Sequence, residues 1–214
     1  MHMKIIFIFA LCGFVHSKLI SLSCNQIRGI VDGHNFRRQQ LAQGAVPGHP
    51  AASDMKYMVW DEELAAKARK WASNNVFEHN PDKTIGSGRF KTGENLYYFG
   101  SSNPDAKLNI EQGLSAWFDE YKDYSYGPMT RSLFDGSSQV QIGHYTQMAW
   151  ADTTYVGCGL SQYSENSMKT FLLVCNYGPS GNILGQVPYT ASEEGSEGLV
   201  CSIGDCSMPY GDNC

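Results

Sequence analysis

Apolar residues first recur at helical spacing. Ile27, Ile30, Val31, His34, Arg38 and Leu41 make one stripe. Ser23 precedes it and Gln26 follows three residues on, a capping-box pattern. Gly44 and Pro47 end that helix. His34 lies on the stripe, where an imidazole is more often a hydrogen-bonded core group than a ligand. Residues 44–56 read as a loop and 57–60 as a short strand. Asp61 then caps a second helix, with Glu62 and Glu63 in its first turn. Leu64, Ala65, Ala68, Trp71 and Ala72 form its apolar face, and Glu63 and Lys67 have ion-pair spacing.

Polar, Gly-rich residues 81–92 are a loop. Gly93-Glu94-Asn95 leads into the strand-like run Leu96-Tyr97-Tyr98-Phe99. A third helix is expected from 103–105, burying Ile110, Leu114, Trp117, Phe118 and Tyr121. Glu120 falls near small Gly113 and Ala116, which predicts open space beside its carboxylate. An aromatic loop covers 124–136. Ser138 and Gln141 repeat the capping-box pattern before a short helix with His144, Gln147 and Met148 on one side.

Strands follow at 155–163 and 170–177, joined by the polar stretch 161–169. The second holds Phe171-Leu172-Leu173-Val174, a run suited to burial on both faces. Pro179-Ser180-Gly181-Asn182 is a turn cluster. Residues 190–198 are acidic and Gly/Ser-rich, the composition of a mobile linker. Amphipathic helices alternating with buried strands predict an α+β fold, a three-layer α-β-α sandwich.

Composition narrows the class. The chain has 214 residues, 42% hydrophobic and 17% charged, enough for one domain with a small appendage. A net charge of −5 without a Lys/Arg cluster argues against nucleic acid and anionic membranes as partners. Lys4, the apolar run 5–14 and Val15-His16-Ser17 read as a secretory signal peptide over 1–17. No second apolar run is long enough to span a membrane. Cleavage removes Cys12 and leaves Cys24, Cys158, Cys175, Cys201, Cys206 and Cys214. An even set in a secreted chain predicts three disulfides, with the connectivity open. The expected divisions are 1–17 signal peptide, 18–190 folded domain, and 191–214 acidic linker and short Cys-containing tail.

Two segments carry a resemblance. Gly143-His144-Tyr145-Thr146-Gln147-Met148-Ala149-Trp150 resembles the first signature of the CAP superfamily of cysteine-rich secretory, antigen 5 and pathogenesis-related-1 proteins. Leu172-Leu173-Val174-Cys175-Asn176-Tyr177-Gly178-Pro179-Ser180-Gly181-Asn182 resembles its second signature. The combination looks most like the venom-allergen branch. The resemblance implies the α-β-α sandwich, a Cys158–Cys175 bridge, and two further bridges among Cys24, Cys201, Cys206 and Cys214. Val76 stands where many relatives carry a cysteine, so the bridge made there should be absent. Three cysteines after the domain do not support an ion-channel module.

The resemblance also implies a polar cleft of His79, Glu94, Glu120 and His144, bordered by Gln147. His79 and His144 are reasonable ligands for a divalent metal such as Zn²⁺. Glu94 and Glu120 are the candidates for a general base, but no residue stands out as catalytic. A catalytic zinc site usually has three protein ligands, and neither a His-Glu-x-x-His spacing nor a Gly-x-Ser-x-Gly elbow occurs. The expected protein is secreted and non-enzymatic, acts by extracellular binding in venom, saliva or a parasite secretion, requires no cofactor and holds a metal weakly. The expected partner is an extracellular protein or lipid, and the expected state a monomer or weak dimer. The alternatives are a metal-dependent hydrolase using the cleft and an extracellular sterol or fatty-acid carrier.

Overall fold

Ser23 starts the first helix as its spacing predicts. In the computed structural model, which describes residues 17–134, 140–212 and 214, its hydroxyl accepts from the Gln26 backbone and the Gln26 side chain reaches back to the Ser23 N–H. Helix α1 runs Cys24–Ala42, and Gly44, at φ 68°, turns the chain away. Residues 1–16, Ser138 and the end of the aromatic loop at 135–136 lie outside the described residues.

Helix α2, Glu62–Ala72, is capped by Asp61, whose carboxylate accepts from Leu64 N at 2.8 Å. Its buried face is Leu64, Ala65, Ala68 and Ala72. Trp71 is only half-buried, because its indole N–H reaches out to Glu78 O at 2.7 Å. The expected Glu63–Lys67 pair does not form. Glu63 is taken by Ser87 and Arg89, and Lys67 donates to Asp82 O.

Helix α3, Ile110–Asp119, begins later than expected, with Asn109 as its cap. The Asn103 side chain accepts from Asp105 N at 2.9 Å, closing a local turn that competes with helix. Short helix α4 is Gly143–Met148. Its cap residue, Ile142, has no side chain able to accept a hydrogen bond.

The central sheet has the order β1-β5-β6-β4, from Lys18–Ile20, Tyr155–Glu165, Met168–Gly178 and Gly93–Ser101, with β3 (Val59–Trp60) parallel to β5. The stretch expected as a loop at 161–169 is mostly strand. Asn166 and Ser167, both at positive φ, form a two-residue turn, and Glu165 pairs with Met168. Polar Ser161 and Gln162 are extended because β1, which periodicity did not announce, pairs with them.

Side chains alternate across the sheet. Leu173, Cys175 and Tyr177 join the core with residues of α1, α3 and α4, whereas Leu172 and Val174 pack against Ala68 and Ala72 of α2. The expected three layers follow. A small second sheet pairs β2 (Ala51–Ala52) with β7 (Ala191–Ser192). The segment read as a linker also bonds through Ser196 N to Ala42 O and Val200 N to Met55 O.

Helix α2 lies directly on β5. A Cβ at Gly157 would collide with Ala65 N and Asp61 O, and one at Gly159 with Arg69 N. These are backbone atoms that no rotamer change can move. Gly157→Ala is expected to destabilise the protein by about 3 kcal/mol in urea unfolding. A loss below about 1 kcal/mol would mean α2 can shift.

The disulfides are Cys158–Cys175, Cys24–Cys214 and Cys201–Cys206. The first joins directly paired residues of β5 and β6, as the resemblance implied. The other two settle the pairings left open, with Cys24–Cys214 clipping the tail to the start of α1.

Candidate functional site

The sheet alternation that builds the core also builds the cleft. Glu94 and Asn95 are adjacent on β4 and point to opposite faces. Glu94 holds His79 at 2.9 Å from Nδ1, while Asn95 donates to the His144 carbonyl at 3.2 Å. His79 and His144 both line one cleft. It is a cavity of about 430 Å³ whose lining includes His79, Glu94, Asn95, His144 and Asn182. Leu133, Phe134 and Ile142 add apolar wall.

Each carboxylate is heavily engaged. Glu94, only 2% exposed in its side chain, accepts from His79, from Asn80 N at 2.9 Å and from Asn176 Nδ2 at 3.1 Å. Glu120 accepts from His144 Nδ1 at 2.6 Å, His144 N at 2.9 Å and Tyr145 N at 3.0 Å. Glu120 thus supplies the cap that Ile142 cannot, from the end of α3. His144 sits directly against this carboxylate, and at Gly113 the Tyr97 ring takes the space a side chain would need. His144 also stacks on Trp117, with centroids 6.0 Å apart and planes at 19°.

With Nδ1–H donated to a carboxylate, each imidazole carries its lone pair on Nε2. Gln147 stands apart from the lining. It is buried, accepting from Gly181 N at 2.9 Å and donating to Thr153 at 3.1 Å, and so ties α4 to the turn after β6. Sequence reasoning missed Asn95, Asn176 and Asn182. Asn176 interrupts an otherwise apolar buried strand, which was a readable signal of a buried polar role.

A buried chain of bonds runs back from the cleft. Asn95 donates to Tyr177 Oη, Tyr177 donates to His34 Nε2 at 2.9 Å, and His34 Nδ1 donates to Ile30 O at 2.7 Å. Burial pushes the Tyr177 phenol pKa up, so the hydroxyl keeps its proton. Burial lowers His34 to about 4, helped by the Arg37 and Arg38 charges and opposed by the Ile30 bond and Glu111. The unfolded chain therefore binds this proton first. Its contribution is complete above pH 6.5, is lost as pH falls towards 4, and totals about 3 kcal/mol. Urea unfolding at both ends of that window should show the loss. His34→Gln should reduce the difference by about that amount, and an unchanged pH dependence would refute the assignment.

Comparison with known proteins fits this architecture. The model of the cysteine-rich secretory protein family, CAP, matches residues 23–177. This chain belongs to that family. Among its relatives, venom allergen 5 of Polistes fuscatus is 43% identical over 168 residues, covering 75% of this chain and 77% of its own. Scoloptoxin SSD552 of Scolopendra dehaani is 37% identical over 191 residues, covering 89% and 84%. The solved structure of NaASP2 with Zn²⁺ has a TM-score of 0.62 at 31% identity, covering 78% of this chain and 86% of that one. The CAP fold and the venom-allergen likeness are thereby established. Among the described residues no helix is long and apolar enough to cross a membrane.

Proposed function

We propose that this CAP protein is secreted, is not an enzyme, and acts by binding an extracellular target, with a cleft that holds a divalent metal loosely. The observation that carries this reading is the state of the two carboxylates. Each already accepts three hydrogen bonds, and each fixes an imidazole. A carboxylate has about four acceptor sites, so three bonds leave only about one on each for a reacting proton. Here the carboxylates orient ligands instead, as outer groups do in zinc sites. All six cysteines among the described residues are bridged. The described lining offers no serine, threonine or thiol nucleophile.

By donor type two imidazoles suit a borderline metal, while no group of three or more His, Cys, Asp or Glu among the described residues is placed to hold one. His79 and His144 would be its ligands through Nε2, with Glu94 and Glu120 orienting them. Such an ion would supply Lewis-acid polarisation of a bound oxygen. Two protein ligands predict weak retention. The related NaASP2 structure with Zn²⁺ supports the choice of metal to test first. The carrier alternative draws no support from the aromatic loop, whose Tyr124 and Tyr126 hydroxyls bond inward to Gly127 O and Tyr189 O.

Calorimetric titration with Zn²⁺ is the test. His79→Ala and His144→Ala should each weaken binding by about tenfold or more, and Glu120→Gln by about 10–100-fold. Unchanged affinity in both histidine variants would remove the metal reading. Peptide or ester turnover that chelator abolishes and His144→Ala eliminates would overturn the non-enzymatic reading.

A further inference from the structure

A second cavity lies away from the cleft, between the start of α1, helix α2 and the C-terminal tail. Its volume is about 350 Å³, within the range of small-molecule sites, ~300–1,000 Å³. Leu22, Ile27 and Trp60 give it apolar walls, and the Cys24–Cys214 bridge closes one side. The Trp60 indole N–H is already donated to Glu62 at 3.1 Å. The ring therefore offers the cavity apolar surface and no hydrogen bond.

The rim is where this cavity differs from an ordinary surface depression. Arg28, Arg37, Arg38 and Arg89 all donate hydrogen bonds to named acceptors. Arg69 lines the cavity and makes no side-chain hydrogen bond or ion pair among the described residues. The acidic side chain on the same rim, Glu62, is the acceptor for Trp60. A guanidinium with no hydrogen-bonded partner among the described residues thus overlooks this partly apolar pocket, with the Glu62 carboxylate on the same rim.

We propose that this cavity binds a small aromatic monocarboxylate, its ring against Leu22, Ile27 and Trp60 and its carboxylate on Arg69. The guanidinium fork matches a carboxylate in two parallel bonds. A flat ring suits a wall made of an indole and a disulfide. The volume accommodates a ligand of roughly a dozen heavy atoms.

The test uses naphthalene-2-carboxylate titrated into the purified protein, read by calorimetry and tryptophan fluorescence. Saturable one-to-one binding is expected. Arg69 is exposed, so Arg69→Met should melt with the wild type and bind the acid about 10–100-fold more weakly. The neutral amide should bind wild type and variant equally weakly. Leu22→Trp, which puts a bulkier ring against the proposed ring site, should weaken acid binding while preserving the thermal transition. Absence of saturable binding by wild type, or acid affinity unchanged in Arg69→Met, would overturn the proposal. So would full binding by a folded Leu22→Trp variant, since the ligand would then sit elsewhere.

Discussion

Replacing Arg38 with methionine is expected to cost the protein roughly 4 kcal/mol of stability. Arg38 lies on α1 and is fully buried. Among the described residues no carboxylate hydrogen-bonds to it. Its guanidinium is instead surrounded by carbonyls: Lys56 O at 2.7 Å, Met148 O at 2.9 Å, Trp150 O at 2.8 Å, Ala151 O at 3.0 Å and Thr153 O at 3.1 Å. Burial pulls its pKa down to about 9, with Asp54, Asp152 and Tyr177 opposing the shift. It is therefore still charged at neutral pH. Four of the five acceptors belong to the stretch that leaves α4, so one side chain satisfies a buried loop that no regular ladder reaches. Methionine fills much of the volume but leaves those carbonyls unpaired. Lysine has three donors and no planar fork, so Arg38→Lys should lose about 2 kcal/mol. Denaturant unfolding of both variants decides the matter. A loss below about 1 kcal/mol for Arg38→Met would show that water replaces the guanidinium.

Arg38 also marks the limit of what could be read beforehand. Its place on the apolar stripe was visible, but four of its five carbonyl partners lie more than a hundred residues away along the chain. Local signals were legible where the stabilising partner is also local. Ser23 with Gln26, Asp61 before α2, and the run 171–174 all behave as their spacing predicts. The short helix with His144, Gln147 and Met148 forms as expected, but it starts only at Gly143, where its first N–H groups are held by the Glu120 carboxylate, a tertiary partner. Helix α3 starts late because Asn103 satisfies its own neighbours in a turn. Strand β1 is three residues long, too short for a periodicity, and exists only because β5 is there to pair with it. In the cleft, the pairing of His79 with Glu94 and of His144 with Glu120 required the fold. Both motifs could be seen in the chain, but the carboxylate held against each Nδ1 and the three hydrogen bonds each carboxylate accepts could not.

The second large effect belongs to the Cys24–Cys214 bridge. It closes a sequence separation of 190 residues, for which chain entropy gives about 5 kcal/mol. The same relation gives only about 2 kcal/mol for Cys201–Cys206, with a separation of 5. The long clip should therefore dominate, although the tail has other anchors. Arg28 donates to Cys214 O at 2.7 Å, Trp60 N donates to Pro209 O at 2.7 Å, and Tyr210 donates to Asp32 at 2.9 Å. These contacts act on the folded state and survive loss of the bridge. The entropic effect acts on the unfolded chain, which becomes free to expand. Cys24→Ser, Cys214→Ser and the double variant should accordingly lose nearly equal stability, about 3–5 kcal/mol, and should show a steeper dependence on urea. Folded-state spectra should change little. If the double variant loses less than about 1 kcal/mol with the urea dependence unchanged, the tail is held by Arg28, Trp60 and Tyr210 and the bridge adds little to them.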